Sequence, residues 1–166
     1  MQNANAETQT VEIVEFLDQY TADFGRLNYE WIEKYFSVEK HDREILDNPQ
    51  KHVIEPGGQI FMALVDGKAA GTVAMIPSGE GVFELTKMAV SPEFQGRGIA
   101  NHLMRACIDL ARSSGKRVIF LESHRSLQPA LALYRKFGFV ETPTDPNSEY
   151  ARADIRMELA IDSGSM

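Results

Sequence analysis

A chain of 166 residues, 43% hydrophobic and 25% charged, has the composition of a globular protein with one domain and too little length for two comfortable cores. Its one cysteine, Cys107, excludes an intramolecular disulfide, argues against a cysteine-built zinc site and fits a reducing compartment. The net charge of −7 argues against nucleic acid as a partner for the surface as a whole.

The polar stretch Met1 to Thr10 has no basic start followed by an apolar run, so it reads as a loose tail or strand lead-in rather than a signal peptide. No apolar stretch approaches the roughly 20 residues that span a bilayer, so no membrane partner is expected and the expected location is cytoplasmic. Val11 to Phe16 alternates apolar and acidic residues, which predicts a first strand. Phe24, Leu27, Trp31, Ile32 and Tyr35 recur at helical spacing and predict a helix over Phe24 to Phe36. A second, short helix over Glu39 to Leu46 stops before Pro49. After a turn at Pro56-Gly57-Gly58, Ile60 to Val65 and Ala69 to Ile76 form a hairpin around Asp66-Gly67.

Val82 to Val90 is the third long strand, ended by Pro92. A helix over Arg97 to Ser113 follows, with Gly115 just past its end. Val118 to Leu121 is a short buried strand and Leu127 to Phe137 a helix ended by Gly138. Phe139 to Glu141 and Ala153 to Ile161 are the last strands. A strand-helix-strand unit inside a largely antiparallel sheet makes the class α/β or α+β.

The segment Gln95-Gly96-Arg97-Gly98-Ile99-Ala100 lies between a strand and a helix. Its glycines allow close backbone approach, the helix start adds a positive dipole end, and Arg97 adds a charge. Such a turn suits a pyrophosphate; the plainer reading is a tight turn alone. From Lys87 to Arg125 there are seven basic and three acidic residues, a local field that favours a small anion.

Gln95-x-x-Gly98-x-Ala100, following Lys87-Met88-Ala89-Val90-Ser91-Pro92, resembles the coenzyme A signature of the GNAT N-acetyltransferase superfamily. About thirty residues on, Ala130-Leu131-Ala132-Leu133-Tyr134-Arg135-Lys136-Phe137-Gly138-Phe139 resembles that family's second landmark. The resemblance implies one GNAT domain over residues 1–166. Its fold is a mixed, mostly antiparallel twisted sheet of about seven strands with about four helices. The fourth and fifth strands, here Val82 to Val90 and Val118 to Leu121, splay apart around the cofactor. It implies acetyl-CoA as co-substrate and no metal. N–H groups of Gly96, Arg97, Gly98, Ile99 and Ala100 would hold the pyrophosphate beside Gln95, and the main chain around Met88, Ala89 and Val90 would pair with the pantetheine arm. Sheet edges and C-terminal strands are where such proteins form homodimers. Where many members have Asn, this chain has Leu127, so the resemblance moves that contact to Ser126 or His124, or removes it.

Direct attack on a thioester needs a neutral amine, hence a base. Glu84 stands eleven residues before Gln95, the register in which the histone-acetylating branch carries its base; His124 and a water chain are its rivals, and a wet strand face is the plain reading. Tyr134 resembles the family's general acid for the departing thiolate, with core packing as its alternative. Cys107 lies on an apolar helix stripe and reads as core. Lys87 reads as a solvated strand lysine or as one that reaches substrate or phosphate, and Trp31 with Tyr35 as packing or as acceptor pocket. His41, His52 and His102 show no metal-ligand spacing.

The expected activity is acetyl transfer to a primary amine of a small molecule. A protein N-terminus or lysine as acceptor, and a non-catalytic coenzyme A sensor, are the alternatives; the pair Glu84 and Tyr134 favours catalysis. The excess negative charge lies in the first sixty residues. There Asp23, Glu30, Glu33, Glu39, Asp42 and Glu44 either steer a cationic amine or form a solvated helix face.

Overall fold

Among the described residues, seven strands form one sheet in the order β1-β2-β3-β4-β5-β7-β6, with β4 and β5 its only parallel neighbours. They are β1 (Val11–Glu15), β2 (Gln59–Val65), β3 (Lys68–Pro77), β4 (Val82–Val90), β5 (Val118–Ser123), β6 (Val140–Thr142) and β7 (Ile155–Ala160). Four α-helices accompany them: α1 (Thr21–Tyr35), α2 (Lys40–Asp47), α3 (Ile99–Ser113) and α4 (Gln128–Lys136). This computed structural model describes residues 10–162; apart from Thr10, the predicted N-terminal lead-in lies outside them. Every predicted strand and helix is present, and among the described residues no helix is long and apolar enough to cross a membrane.

Local chemistry accounts for the boundaries. Asp66 and Gly67 both take positive φ (52° and 79°), the geometry a two-residue hairpin turn requires. At the start of α2, the Glu39 side chain accepts from the helix backbone and Asp42 accepts the Glu39 N–H at 2.8 Å, a reciprocal cap. The predicted helix start at Arg97 moves to Ile99, because Gly98 is left-handed at φ 76° and serves as the cap. A five-residue π-type turn over Gln50–Ile54, absent from the sequence reading, carries the chain from α2 to β2.

The sheet buries both faces. On one, Ile99, Leu103, Met104, Cys107 and Ala111 of α3 pack on Val73, Leu85, Ile119 and Met157, with Leu131 of α4 and Phe139 extending the layer. On the other, Phe24, Leu27 and Ile32 of α1 and Ile45 and Leu46 of α2 cover Ile60, Met62, Ala74 and Ala89. Alternation along the strands sends successive side chains to opposite layers.

β4 breaks that alternation once. Thr72 pairs with Ala89 and Ala74 with Thr86, so Val73 faces two residues, Lys87 and Met88. The extra residue is taken up at Lys87, whose φ is 58°.

Gly58 sits where only a glycine fits: a Cβ there would lie 2.2 Å from the Met75 carbonyl oxygen and 2.7 Å from that of Val53. Gly58→Ala is expected to cost about 3 kcal/mol, the upper end for overpacking, read as a fall in urea midpoint at unchanged slope. Gly25→Ala, mid-helix with 3.6 Å to the nearest atom, should instead gain about 0.5–1 kcal/mol. Cys107 is fully buried, and burial pushes its thiol pKa far up. A thiol reagent should therefore find nothing to label in the native protein and one group after unfolding in denaturant.

Candidate active site

β4 and β5 stay paired only over Val82, Phe83 and Glu84 against Val118, Ile119 and Phe120. Past that point β5 runs on along β7 and β4 along β3, and their facing edges separate. A cavity of about 880 Å³ fills the gap, reaching from the turn before α3 to the side chains of α1. The edge of β4 over Leu85 to Val90 therefore offers backbone groups to whatever enters; at its end the Val90 carbonyl accepts from Gln95 Nε2 at 3.3 Å.

The glycine turn closes one end. Gly96 (φ 82°) and Gly98 (φ 76°) are left-handed, and a Cβ at either would meet nothing within 4 Å, so the surface there is bare backbone. The backbone bond from His102 N–H to the Gly98 carbonyl, 3.2 Å, begins the α3 ladder. The N–H groups of Ile99, Ala100 and Asn101 consequently have no helical acceptor and point with the positive end of the helix dipole. Lys136 of α4 reaches the same end and donates to the Asn101 side chain at 2.7 Å. Of the residues that the sequence assigned to the site, all line the cavity except Arg97, whose guanidinium lies 5.3 Å over the Phe94 ring.

Glu84 stands at the fork, the last residue of β4 still paired with β5. Burial, and then the like charge of Glu122 on β5, push its carboxyl pKa up to about 7; Lys87, His41 and Arg156 act in the opposite sense. Glu122 itself accepts from Ser148 Oγ at 2.9 Å. Tyr134 of α4 lines the same cavity, its ring 5.9 Å from that of Phe139. Burial pushes its hydroxyl pKa up to about 12, so the phenol keeps its proton at neutral pH.

His124 is less free than the sequence allowed. Its Nδ1 lies 2.7 Å from Ser126 Oγ and accepts the Ser126 N–H at 3.1 Å, while Nε2 lies 3.4 Å from Asp154. An imidazole whose acceptor nitrogen already takes an amide proton is poorly placed to take another. Ser126 and His124 thus bind each other at the cavity edge, next to Leu127.

Lys87 is neither solvated nor directed at a ligand. Its Nζ donates to Asp42 Oδ1 at 2.6 Å and to the Tyr150 hydroxyl at 2.8 Å, with 4% of the side chain exposed. Asp42 is wholly buried and also takes two bonds from Arg152, at 2.8 and 2.7 Å. Burial by itself would raise the Asp42 pKa, but Arg152, Lys87 and the Glu39 N–H outweigh it and hold the carboxyl well below the usual range. Glu39 pairs with Arg152 as well. Two of the carboxylates read as a steering rim or solvated face, Glu39 and Asp42, are therefore spent in this cluster. No local spacing announces it, because its members stand 45, 63 and 110 residues apart.

Trp31 does both things the sequence offered, packing on the helix layer and walling the cavity; Tyr35, its ring 5.2 Å from that of Trp31, is 46% exposed and walls the cavity with Phe36. His41 Nδ1 lies 3.0 Å from Glu44 and 2.9 Å from Glu149, a group that could hold a cation and that joins α2 to a distant loop.

The sequence pattern of the acetyltransferase (GNAT) family matches residues 25–139. An uncharacterized N-acetyltransferase of Schizosaccharomyces pombe is 28% identical over 165 residues, covering 93% of this chain and 98% of that protein. The N-alpha-acetyltransferase RimI of Mycobacterium tuberculosis is 34% identical over 94 residues, 57% of this chain and 55% of RimI. Several other curated relatives are matched over about half their own length or less. Among solved structures, a GNAT-family acetyltransferase from Staphylococcus aureus Mu50 superposes with a TM-score of 0.83 at 17% identity, covering 92% of this chain and 100% of that one. For yncA of Salmonella typhimurium, solved with its cofactor acetyl-CoA, the TM-score is 0.74 at 21% identity, with 94% and 96% covered.

Proposed function

The chain belongs to the GNAT acetyltransferase family, and from that premise we propose that it acetylates a primary amine of a small molecule by direct attack on acetyl-CoA. The observation that carries this reading is Glu84 at the fork of β4 and β5, its carboxyl pKa pushed up to about 7, in the wall of the same cavity that Tyr134 lines.

The residues fit acetyl-CoA. Its pyrophosphate needs N–H donors and positive potential, which the turn from Gly96 to Ala100 supplies from backbone and helix dipole. A pantetheine arm carries amides, which match the open edge of β4 at Met88, Ala89 and Val90. Ser126 stands at the cavity edge within reach of the same cleft. When bound, acetyl-CoA supplies an acetyl group activated as a thioester.

The chain's own residues handle the protons. An aliphatic amine arrives as an ammonium with a pKa near 10, and Glu84 takes a proton from its nitrogen. A carboxylate at about 7 is a stronger base than an ordinary glutamate and is still half ionised at neutral pH. Tyr134 holds a proton for the departing sulfur. No thiol nucleophile is needed, and buried Cys107 offers none. The wall of Trp31, Tyr35 and Phe36 supports a compact acceptor. Similarity to RimI supports a second acceptor class, a protein N-terminus; an amine panel run beside N-terminal peptides, each read by thiol release, separates the two.

Because Glu84 must be ionised, kcat/KM should rise with pH through a midpoint near 7 and fall below it as the carboxyl takes a proton. Glu84→Gln should lower turnover by about 10²–10⁴ and remove that limb, and Tyr134→Phe should slow turnover with cofactor affinity within a few-fold. Full activity in either variant would return the residue to a packing role. Acetyl-CoA binding followed by calorimetry should be the same with and without a chelator and lost in Gly98→Trp, since the anion site is backbone; loss on chelation would place a metal in it.

A further inference from the structure

Resting on that reading of Glu84, we propose that Lys87 is a positioning residue for the transfer: its clamp to Asp42 and Tyr150 holds the bulge of β4 and sets the electric field at Glu84.

Lys87 occupies a costly position. A non-glycine residue at φ 58° within a strand carries roughly 1–3 kcal/mol of strain, which persists only where its surroundings over-determine it. Its charge lies under 4% exposure, and burying an ion pair adds little net stability compared with apolar residues of the same volume. Strain and desolvation together at one residue give no stability advantage, so the return must lie elsewhere.

The placement shows where. Lys87 lies three residues beyond Glu84 and directly before Met88, at the start of the open edge that would receive the cofactor arm. Its partners come from segments distant in the chain: Asp42 from α2, Tyr150 from the loop before β7, whose ring also lies 4.5 Å from Nζ. Arg152 completes the arch by gripping both oxygens of Asp42 and the Glu39 carboxylate. The clamp therefore ties the strand that presents the backbone edge to α2 and to the loop before β7, which supplies Tyr150 and Arg152 to the cavity wall.

It also places a cation and an anion at defined depths behind Glu84. The other groups acting on that carboxyl are Glu122 from β5, His41 from α2 and Arg156 from β7, with Tyr150 and Arg152 beside Lys87 in the loop. Taking away the Lys87 charge leaves Glu84 with more negative surroundings; taking away the Asp42 charge leaves it with more positive ones.

The test is the pH midpoint of kcat/KM in four variants of the full chain, with folding checked by thermal unfolding. Lys87→Gly removes the charge yet accepts φ 58° without strain, so backbone and charge are separated. Its midpoint should rise by about one unit and kcat fall about tenfold, with the calorimetric Kd for acetyl-CoA within about threefold. Asp42→Asn should move the midpoint down, and Lys87→Arg should keep it near its original value. If Asp42→Asn does not fold, the Gly and Arg variants at 87 decide. Unmoved midpoints, or shifts of one sign in both Lys87→Gly and Asp42→Asn, overturn the proposal even if kcat falls. Glu84→Gln separates the two readings: if the limb survives in it, the base assignment fails; if the limb vanishes there but stays fixed in Lys87→Gly, the base stands and the positioning role falls.

Discussion

Backbone N–H and C=O groups inside a protein must be paired, and the edges of β4 and β5 that part after Glu84 and Phe120 have no strand to pair with. On its other side β5 pairs with β7 along all six of its residues, and its edge facing β4 stays open past Phe120. β4 keeps β3 on one side and leaves the other side open, which a protein tolerates only where water or a ligand with alternating donors and acceptors can enter. The cavity, the glycine turn at its end and the position of Glu84 at its apex all follow from where the two strands stop pairing. A sheet zipped through to Val90 would have no site.

The acceptor side is held by a different force. Four charges, Lys87, Arg152, Asp42 and Glu39, neutralise one another in a space from which water is largely excluded. Buried ions persist only when each has several partners, and Asp42 has three: Lys87, Arg152 and the Glu39 amide. The cluster replaces what an apolar layer would do elsewhere between a helix and a sheet. It leaves Glu84 beside a neutral assembly with an oriented dipole rather than beside oil, which limits how far burial and Glu122 can raise its pKa.

These two halves differ in how much of them the sequence discloses. The cofactor half is made of backbone, and backbone geometry leaves local marks: Gly96 and Gly98 at left-handed positions, Pro92 ending β4, an apolar stripe from Ile99 to Ala111 for the helix that follows. All of these lie within twenty residues of one another, and the strand from Val82 to Val90 was legible to the residue. Glu84 and Tyr134, singled out through the family resemblance, both line the cavity. The bulge was not, because a lysine at positive φ has no sequence signature, and the π-type turn after α2 has none either.

The acceptor half is made of side chains that meet only through the fold. Asp42 reads in sequence as one more carboxylate on a charged helix face, and nothing near it signals that it will be the most buried acid described. Its partners arrive from β4 and from the loop before β7, and His41 meets Glu149 by the same route. Side chains of α1 and of the 150–152 loop wall the cavity that Glu84 lines, whereas Asp42 of α2 reaches it only through Lys87 and Arg152. The family pattern covers residues 25–139, so it takes in α2 and most of α1 but stops short of the 150–152 loop, which supplies Tyr150 and Arg152 to the cluster.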